Sequence, residues 1–319
     1  MAPENKYRMQ KRTNHMYIDD SIISKEEKII FTLRALYSAA GYTGYRMNKF
    51  EAYDLYMRNK DFLVSDGVIT FTDTNGRLMA LKPDVTLSIV KNSRYESGRT
   101  ERLYYDEKVY RPARPGDPFR EITQMGLENL GDIGNTDITG VLSLALESLK
   151  ALSEGKGFVL DVSCLDLLGL VLDEMGAQGE ARVSLLNAVK EKAAHEIRAV
   201  CGKNGIEKCD LLLSLLKCEG PAGDVLSGEA LKALCETCEK AVPVVENLKS
   251  ILAPLKDENI RLDFSVQSDM RYYNGIVFGG FMEGIPSAVL RGGQYDRLVK
   301  RVGKKGGAIG FALYLDLLE

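Results

Sequence analysis

Residues 109–131, VYRPARPGDPFREITQMGLENLG, decide the architecture. The run ERLYYDEKVYR (101–111) leads into this stretch, and FREITQMGLENLG (119–131) closes it. Between them PARPGDP (112–118) holds prolines and a glycine that break both helix and strand, so an antiparallel pair with a loop at its tip is predicted. Gln124, Gly126 and Glu128 recur at even spacing on the second run. Successive side chains of a strand alternate between faces, so these three share one face, and a polar stripe there can line a cleft.

Working outward, residues 25–40 (KEEKIIFTLRALYSAA) carry apolar positions at helical spacing, with Ser24 as N-cap, Glu26 and Glu27 in the first turn and Gly41 as the stop. VITFTD (68–73) and RLMALK (77–82) flank Asn75-Gly76, a hairpin signal whose two turn positions call for positive φ. A short helix is predicted in PDVTLSIVKNS, with Pro83 at its start. Another follows over 136–153, and then the strand FVLDVS. From 164 to 255 the pattern is almost entirely helical. Strand patterns return in IRLDFSV, GIVFGGFMEG and SAVLRG, and IGFALYLDLLE reads as a terminal helix. Strands, then helices, then strands predict an α+β fold: a mixed, mainly antiparallel sheet flanked by helices and split by a helical insertion. The expected divisions are 1–163 and 256–319 for the two parts of the core, and 164–255 for the insertion.

The chain has 319 residues, 45% of them apolar and 27% charged, which is the composition of a packed globular protein. Lys plus Arg number 42 against 45 Asp plus Glu, a net charge of −3 that gives no support for a nucleic-acid binder. The basic start MAPENKYRMQKR has no apolar segment behind it, and no apolar run approaches the roughly 18 residues of a membrane span. A cytoplasmic protein is expected. Six cysteines fall between Cys164 and Cys238. Cys235 and Cys238 form a C-x-x-C in EALKALCETCEKAV, which reads as one continuous helix; with no second pair or histidines nearby, they are expected to pack as small apolar residues rather than bind zinc.

Three clusters suggest chemistry. Asp84 and Thr86 stand at the start of the short helix. Arg111, Arg114, Arg120, Gln124 and Glu128 lie on the paired strands or their loop. Tyr272-Tyr273-Asn274 precedes Arg291-Gly292-Gly293-Gln294-Tyr295-Asp296. Together they supply carboxylates, an amide and phenols, a set suited to a small zwitterion with a polar side chain. The glycines of RGGQYD and KKGGAIGF lack the spacings of a phosphate cradle and are expected to serve close strand-to-helix packing.

In this order the segments resemble the catalytic core of a class II aminoacyl-tRNA synthetase, specifically the histidyl enzyme. LKPDVT is similar to L-R-P-E-G-T, and residues 109–131 are similar to the motif 2 segment with its Q-x-G-x-E-x-x-G. RYYNGIVF, RGGQYDRLV and IGFALYLDLL are similar to D-Y-Y-N-R-T-V-F, A-G-G-R-Y-D-G-L-V and the motif 3 ending. The resemblance implies the class II fold, a dimer paired through residues 25–50, and a histidine-binding set of Asp84, Thr86, Gln124, Glu128 and Tyr273. Arg111, Arg114 and Arg120 are candidate anion-binding residues.

The departures concern ATP. Arg111 stands at the motif 2 arginine, but its companion Glu is replaced by Ala113; the motif 3 Arg is replaced by Leu317; and Ser268 occupies the position of a third arginine, unless Arg271 is shifted into its place. Asn48 stands where motif 1 has a proline. Adenylyl transfer depends on charge stabilisation, and each lost donor costs about 10²–10³ in rate. Leu and Ser cannot replace bidentate guanidinium contacts. The sequence also ends at the motif 3 segment, so the anticodon-binding domain is expected to be absent.

A truncated, non-ligating relative implies a regulatory subunit of ATP phosphoribosyltransferase. On that resemblance it pairs with the short-form catalytic subunit in a hetero-oligomer at the first step of histidine biosynthesis, responds to histidine, and contributes no catalytic residue, metal or cofactor. The alternatives are a stand-alone amino-acid-activating ligase, with arginines such as Arg114, Arg120, Arg271 or Arg291 on the triphosphate, and a module for uncharged tRNA, which the net charge disfavours.

Overall fold

A computed structural model describes residues 20–63, 67–94, 98–112, 116–266 and 272–318. The basic N-terminal dozen, Ala113 and Arg114 of the Pro-rich tip, and Ser268 and Arg271 lie outside the described residues.

The first long helix, α1 (Lys25–Ala39), forms as its caps dictate. Ser24 Oγ accepts from the Glu27 N–H at 3.2 Å, and a Glu27 carboxylate oxygen accepts from the Ser24 N–H at 2.9 Å. This reciprocal box satisfies two otherwise orphaned donors. Gly41, at φ +85°, ends the helix. Leu33 and Tyr37, one turn apart, bury its inner face.

After β1 (Thr43–Gly44) comes a small sheet made of β2 (Phe50–Ala52), β3 (Thr70–Thr72) and β4 (Leu78–Leu81), with α2 (Tyr53–Arg58) following β2. β3 and β4 form the expected hairpin, but its turn differs. Only Gly76 takes positive φ, at +77°. Asp73 Oδ1 accepts from the Asn75 and Arg77 N–H groups, both at 2.9 Å, so a wider side-chain-closed turn replaces the two-residue one. The next helix, α3 (Thr86–Asn92), starts three residues after Pro83 rather than at it. The reason is tertiary: the Lys82 N–H donates to the Lys49 carbonyl and the Lys82 carbonyl accepts from the Tyr110 N–H, which holds the chain extended there.

β5 (Thr100–Pro112) and β6 (Phe119–Gly131) are the two long antiparallel strands, paired from Thr100–Gly131 to Pro112–Phe119. Then follow α4 (Asn135–Leu152), β7 (Phe158–Cys164) and a run of helices: α5 (Leu165–Glu174), α6 (Gly179–Lys190), α7 (Ala194–Asn204) and α8 (Cys209–Leu216). The short β8 (Gly220–Pro221) precedes α9 (Ala222–Ser227), α10 (Glu229–Thr237) and α11 (Ala241–Leu252). The C-x-x-C stretch is not one helix. α10 ends at Thr237, the Cys238 N–H closes on the Leu234 carbonyl, and a new helix begins at Ala241. Cys238 is buried and Cys235 half-buried among the apolar helix residues.

The chain closes with β9 (Ile260–Leu262), β10 (Asn274–Met282), β11 (Leu290–Gln294), α12 (Asp296–Arg301) and β12 (Gly307–Tyr314). IGFALYLDLLE is therefore mostly strand, with only a 3₁₀ turn over Leu315–Leu317. Its true period is two: Ile309, Phe311 and Leu313 face one side and Gly310, Ala312 and Tyr314 the other, and pairing to β6 and β11 on both edges enforces the strand.

Among the described residues the main sheet has the order β1-β5-β6-β12-β11-β10-β7-β9-β8, antiparallel except for β1–β5 and β7–β9. One face packs on α1, α4 and the helices after β7, through residues such as Met125, Leu127, Val162 and Phe311. The other face carries a second apolar cluster including Val85, Leu87, Tyr105, Tyr295 and Leu298. This architecture is the class II synthetase-like fold, and the site lies on its second face. No helix among the described residues is long and apolar enough to cross a membrane.

Candidate functional site

The even spacing on β6 does what it predicts. Gln124 and Glu128 project from the second face, and Gly126 between them leaves room for the Tyr105 ring from β5. They open into a cavity of about 280 Å³ lined also by Asp84, Thr86, Arg111, Tyr272, Tyr273, Arg291, Tyr295, Gly310, Ala312 and Tyr314. That is the small end of ligand-site volumes, the scale of one amino acid. All five residues of the expected histidine set, Asp84, Thr86, Gln124, Glu128 and Tyr273, meet there.

Glu128 is the centre of the arrangement. It is 2% exposed, Thr86 Oγ1 donates to its Oε1 at 2.7 Å, and the Tyr295 hydroxyl donates to Oε2. Burial pushes its carboxyl up to about 8; the two hydroxyl donors oppose that shift and the nearby Asp84 charge adds to it. Glycine at 310 is what permits this placement, because a Cβ there would overlap the carboxylate. Asp84, one residue before the N-cap Val85, accepts from the Leu87 N–H at 2.8 Å through Oδ1 and so satisfies one of the free first-turn N–H groups of α3. Burial raises the Asp84 carboxyl, against the pull of that N–H and of the Arg111 guanidinium.

Aromatic rings form one wall. Tyr272 and Tyr273 have ring centroids 4.4 Å apart, and Tyr272 lies 5.8 Å from Tyr295 and 6.0 Å from Phe62. The segment is held from behind. Asn274 Nδ2 donates to Asp296 Oδ2 at 3.0 Å while Asn274 Oδ1 accepts from the Asp296 N–H at 2.9 Å, and Asp296 Oδ1 accepts from the Ala308 N–H. Asn274, Asp296 and Gln294, which accepts from the Ile276 N–H, are thus positioning residues for Tyr273.

The three candidate anion-binding arginines separate. Arg111 is buried and lines the cavity, Arg114 lies outside the described residues, and Arg120 is half-exposed, 3.5 Å from Asp316 and away from the cavity. Leu317 packs against the apolar core, so no charge faces the site from that position. The glycines of RGGQYD do not serve strand-to-helix packing. Gly292 and Gly293 sit mid-sheet, where a Cβ would strike the rings of Phe278 and Tyr273. Gly307 does fit the strand-to-helix expectation, lying against Asp296 at the start of α12.

Sequence reasoning missed Tyr105, Phe62 and Tyr314. Tyr105 was recoverable once β5 and β6 were aligned, since it falls opposite Gly126. Phe62 comes from a 3₁₀ turn remote in sequence and carried no signal.

The Histidyl-tRNA synthetase family model matches residues 19–318. An ATP phosphoribosyltransferase regulatory subunit from Acetivibrio thermocellus is 24% identical over 296 residues, covering 90% of this chain and 70% of that one. A histidine–tRNA ligase from Methanocaldococcus jannaschii is 27% identical over 290 residues, covering 89% and 68%. Among solved structures, an ATP phosphoribosyltransferase regulatory subunit/histidyl-tRNA synthetase from Bacillus halodurans superposes with a TM-score of 0.77 at 22% identity, covering 98% of this chain and 83% of that one, a likeness of fold.

Proposed function

Because the chain belongs to the histidyl-tRNA synthetase family, we propose that it is a regulatory subunit of ATP phosphoribosyltransferase, acting in histidine biosynthesis and sensing histidine in the cavity on the second sheet face. The observation that carries this reading is the cavity's composition. It gathers Asp84, Thr86, Gln124, Glu128 and Tyr273 around an amino-acid-sized space, while Leu317 offers no charge where a triphosphate would need one. The regulatory-subunit name borne by relatives such as the Acetivibrio protein supports it.

In this reading the chain contributes no catalytic residue to the complex and no aminoacylation. Its partner is the short-form catalytic subunit, the complex is cytoplasmic, and residues 164–255 act as an inserted helical domain. Glu128, with Tyr295 and Thr86 behind it, meets the imidazole; Asp84 and Gln124 meet the ammonium group. The chain pairs with a second copy through residues 25–50, where Phe31 and Phe50 are about half-exposed.

Reconstitution tests the proposal. Adding the purified chain to a short-form catalytic subunit is expected to raise phosphoribosyl transfer to ATP and to make that activity sensitive to histidine. No effect of the chain on the rate would sink the reading. A second reading, an amino-acid-activating ligase, is favoured by two guanidiniums in the cavity, Arg111 and Arg291, and by relatives named as ligases. Histidine-dependent exchange of pyrophosphate into ATP by the chain alone would establish it instead.

A further inference from the structure

The acids of the cavity are hydrogen-bonded, whereas the side chains of Arg111 and Gln124 are open to it. Glu128 accepts from two hydroxyls and Asp84 from a backbone N–H. Arg111 and Gln124 are 4% and 5% exposed, and both line the cavity. Among the described residues neither side chain makes a hydrogen bond or a salt bridge. Both side chains line the cavity, where the Arg111 guanidinium faces the Asp84 carboxyl, and a ligand there can complete their hydrogen bonds.

A second guanidinium reaches the same space from β11. Arg291 pairs in register with Ala312 on β12, and Ala312 pairs with Gly126 on β6, so Arg291 projects from the face that carries Gln124 and Glu128. The small residues Gly310 and Ala312 leave the way clear between them. Strand spacing and rise put the Arg291 and Glu128 Cα atoms roughly 12 Å apart, a span that two side chains and one amino acid fill. Arg291 is exposed on its outer side, and its side chain, like that of Arg111, makes no hydrogen bond or salt bridge among the described residues. Its charge reaches the Tyr273 hydroxyl, which ties it to the ligand end of the cavity.

The cavity's guanidiniums identify the ligand group. Two of them face about 280 Å³ that also holds the Asp84 and Glu128 carboxyls, both raised by burial, and this is space for the single carboxylate of one amino acid. We infer that Arg291, with Arg111, holds the ionised α-carboxylate of the ligand and makes the cavity select free amino acids over derivatives that lack this charge. The inference rests on the reading of the cavity as a histidine site. A carboxylate takes two guanidinium forks well, because their planar N–H pairs match its two oxygens.

Calorimetric titration of the full chain with L-histidine and with L-histidinol, in which a hydroxymethyl group replaces the carboxylate, tests it. The wild type is expected to bind histidine at least tenfold more tightly than histidinol. Arg291→Ala is expected to weaken histidine roughly tenfold and histidinol less than twofold, and Arg291→Lys to fall between. Because Arg291 is exposed and unpaired, the variant's fold is not at stake, and a thermal melt checks it. Equal affinities of the wild type for both ligands, or an equal loss of both in Arg291→Ala, would overturn the inference while leaving the histidine site standing. Absence of heat from either ligand would remove the site reading itself, and this inference with it.

Discussion

Thr86 Oγ1 donates to Glu128 Oε1 at 2.7 Å, joining the first turn of α3 to the middle of the central sheet. With the Tyr295 hydroxyl on the other oxygen, this bond fixes a carboxyl that burial pushes up to about 8. On the proposed reading, this is the acid that would ionise against a cationic imidazole.

Glu128 links stability to pH. Its folded value of about 8 lies above its ordinary 4.5, so between those limits the native state keeps a proton that the unfolded chain releases. The contribution of this group is therefore complete below about pH 4.5 and is lost as pH rises toward 8, by an amount on the order of a few kcal/mol. Glu128→Gln stays neutral throughout, so urea denaturation is expected to find it gaining on the wild type from pH 5 to pH 8. A stability difference that does not change with pH would refute this.

Gly310 and Gly140 should respond oppositely to alanine. A Cβ at Gly310 would overlap the Glu128 carboxylate, and β12 is paired on both edges and cannot shift. Gly310→Ala is expected to cost about 1–3 kcal/mol and to abolish ligand binding. Gly140 is exposed within α4, and a methyl group added there would meet nothing within 4 Å, so Gly140→Ala is expected to stabilise by about 0.5–1 kcal/mol. Denaturation midpoints of the pair check both signs.

Lys82 is 2% exposed and pairs with Glu107, whose other oxygen accepts from the Met47 N–H at 3.0 Å. Lys82→Met leaves that carboxylate unpaired and is expected to cost about 3 kcal/mol. The double variant Lys82→Met, Glu107→Leu should recover part of the loss, because it removes the stranded charge as well. A double-mutant cycle by chemical denaturation measures the difference.

The proposed self-association rests on exposed rings. Phe31 and Phe50 are 49% and 51% exposed. Replacing both with Asp is expected to convert a dimer to a monomer in sedimentation velocity while leaving the far-UV circular dichroism unchanged. A variant that sediments as the wild type does would move the interface elsewhere.

What the sequence determined by itself was local and periodic. Ser24 and Glu27 specify a helix start, the even spacing of Gln124, Gly126 and Glu128 specifies a shared strand face, and the ordered motifs specify the family fold. These signals work because capping and alternation depend on residues a few positions apart. Tertiary structure decided the rest. IGFALYLDLLE looks helical alone but is drawn into the sheet by two neighbours, and Pro83 is kept out of α3 because the Lys82 N–H donates to the Lys49 carbonyl and the Lys82 carbonyl accepts from the Tyr110 N–H. Glu128 acquires its raised carboxyl only when Thr86, Tyr295 and Gly310, from 42 residues before it to 182 after it, close around it. Burial and cross-strand contact are properties of the assembled sheet, and no spacing along the chain encodes their strength.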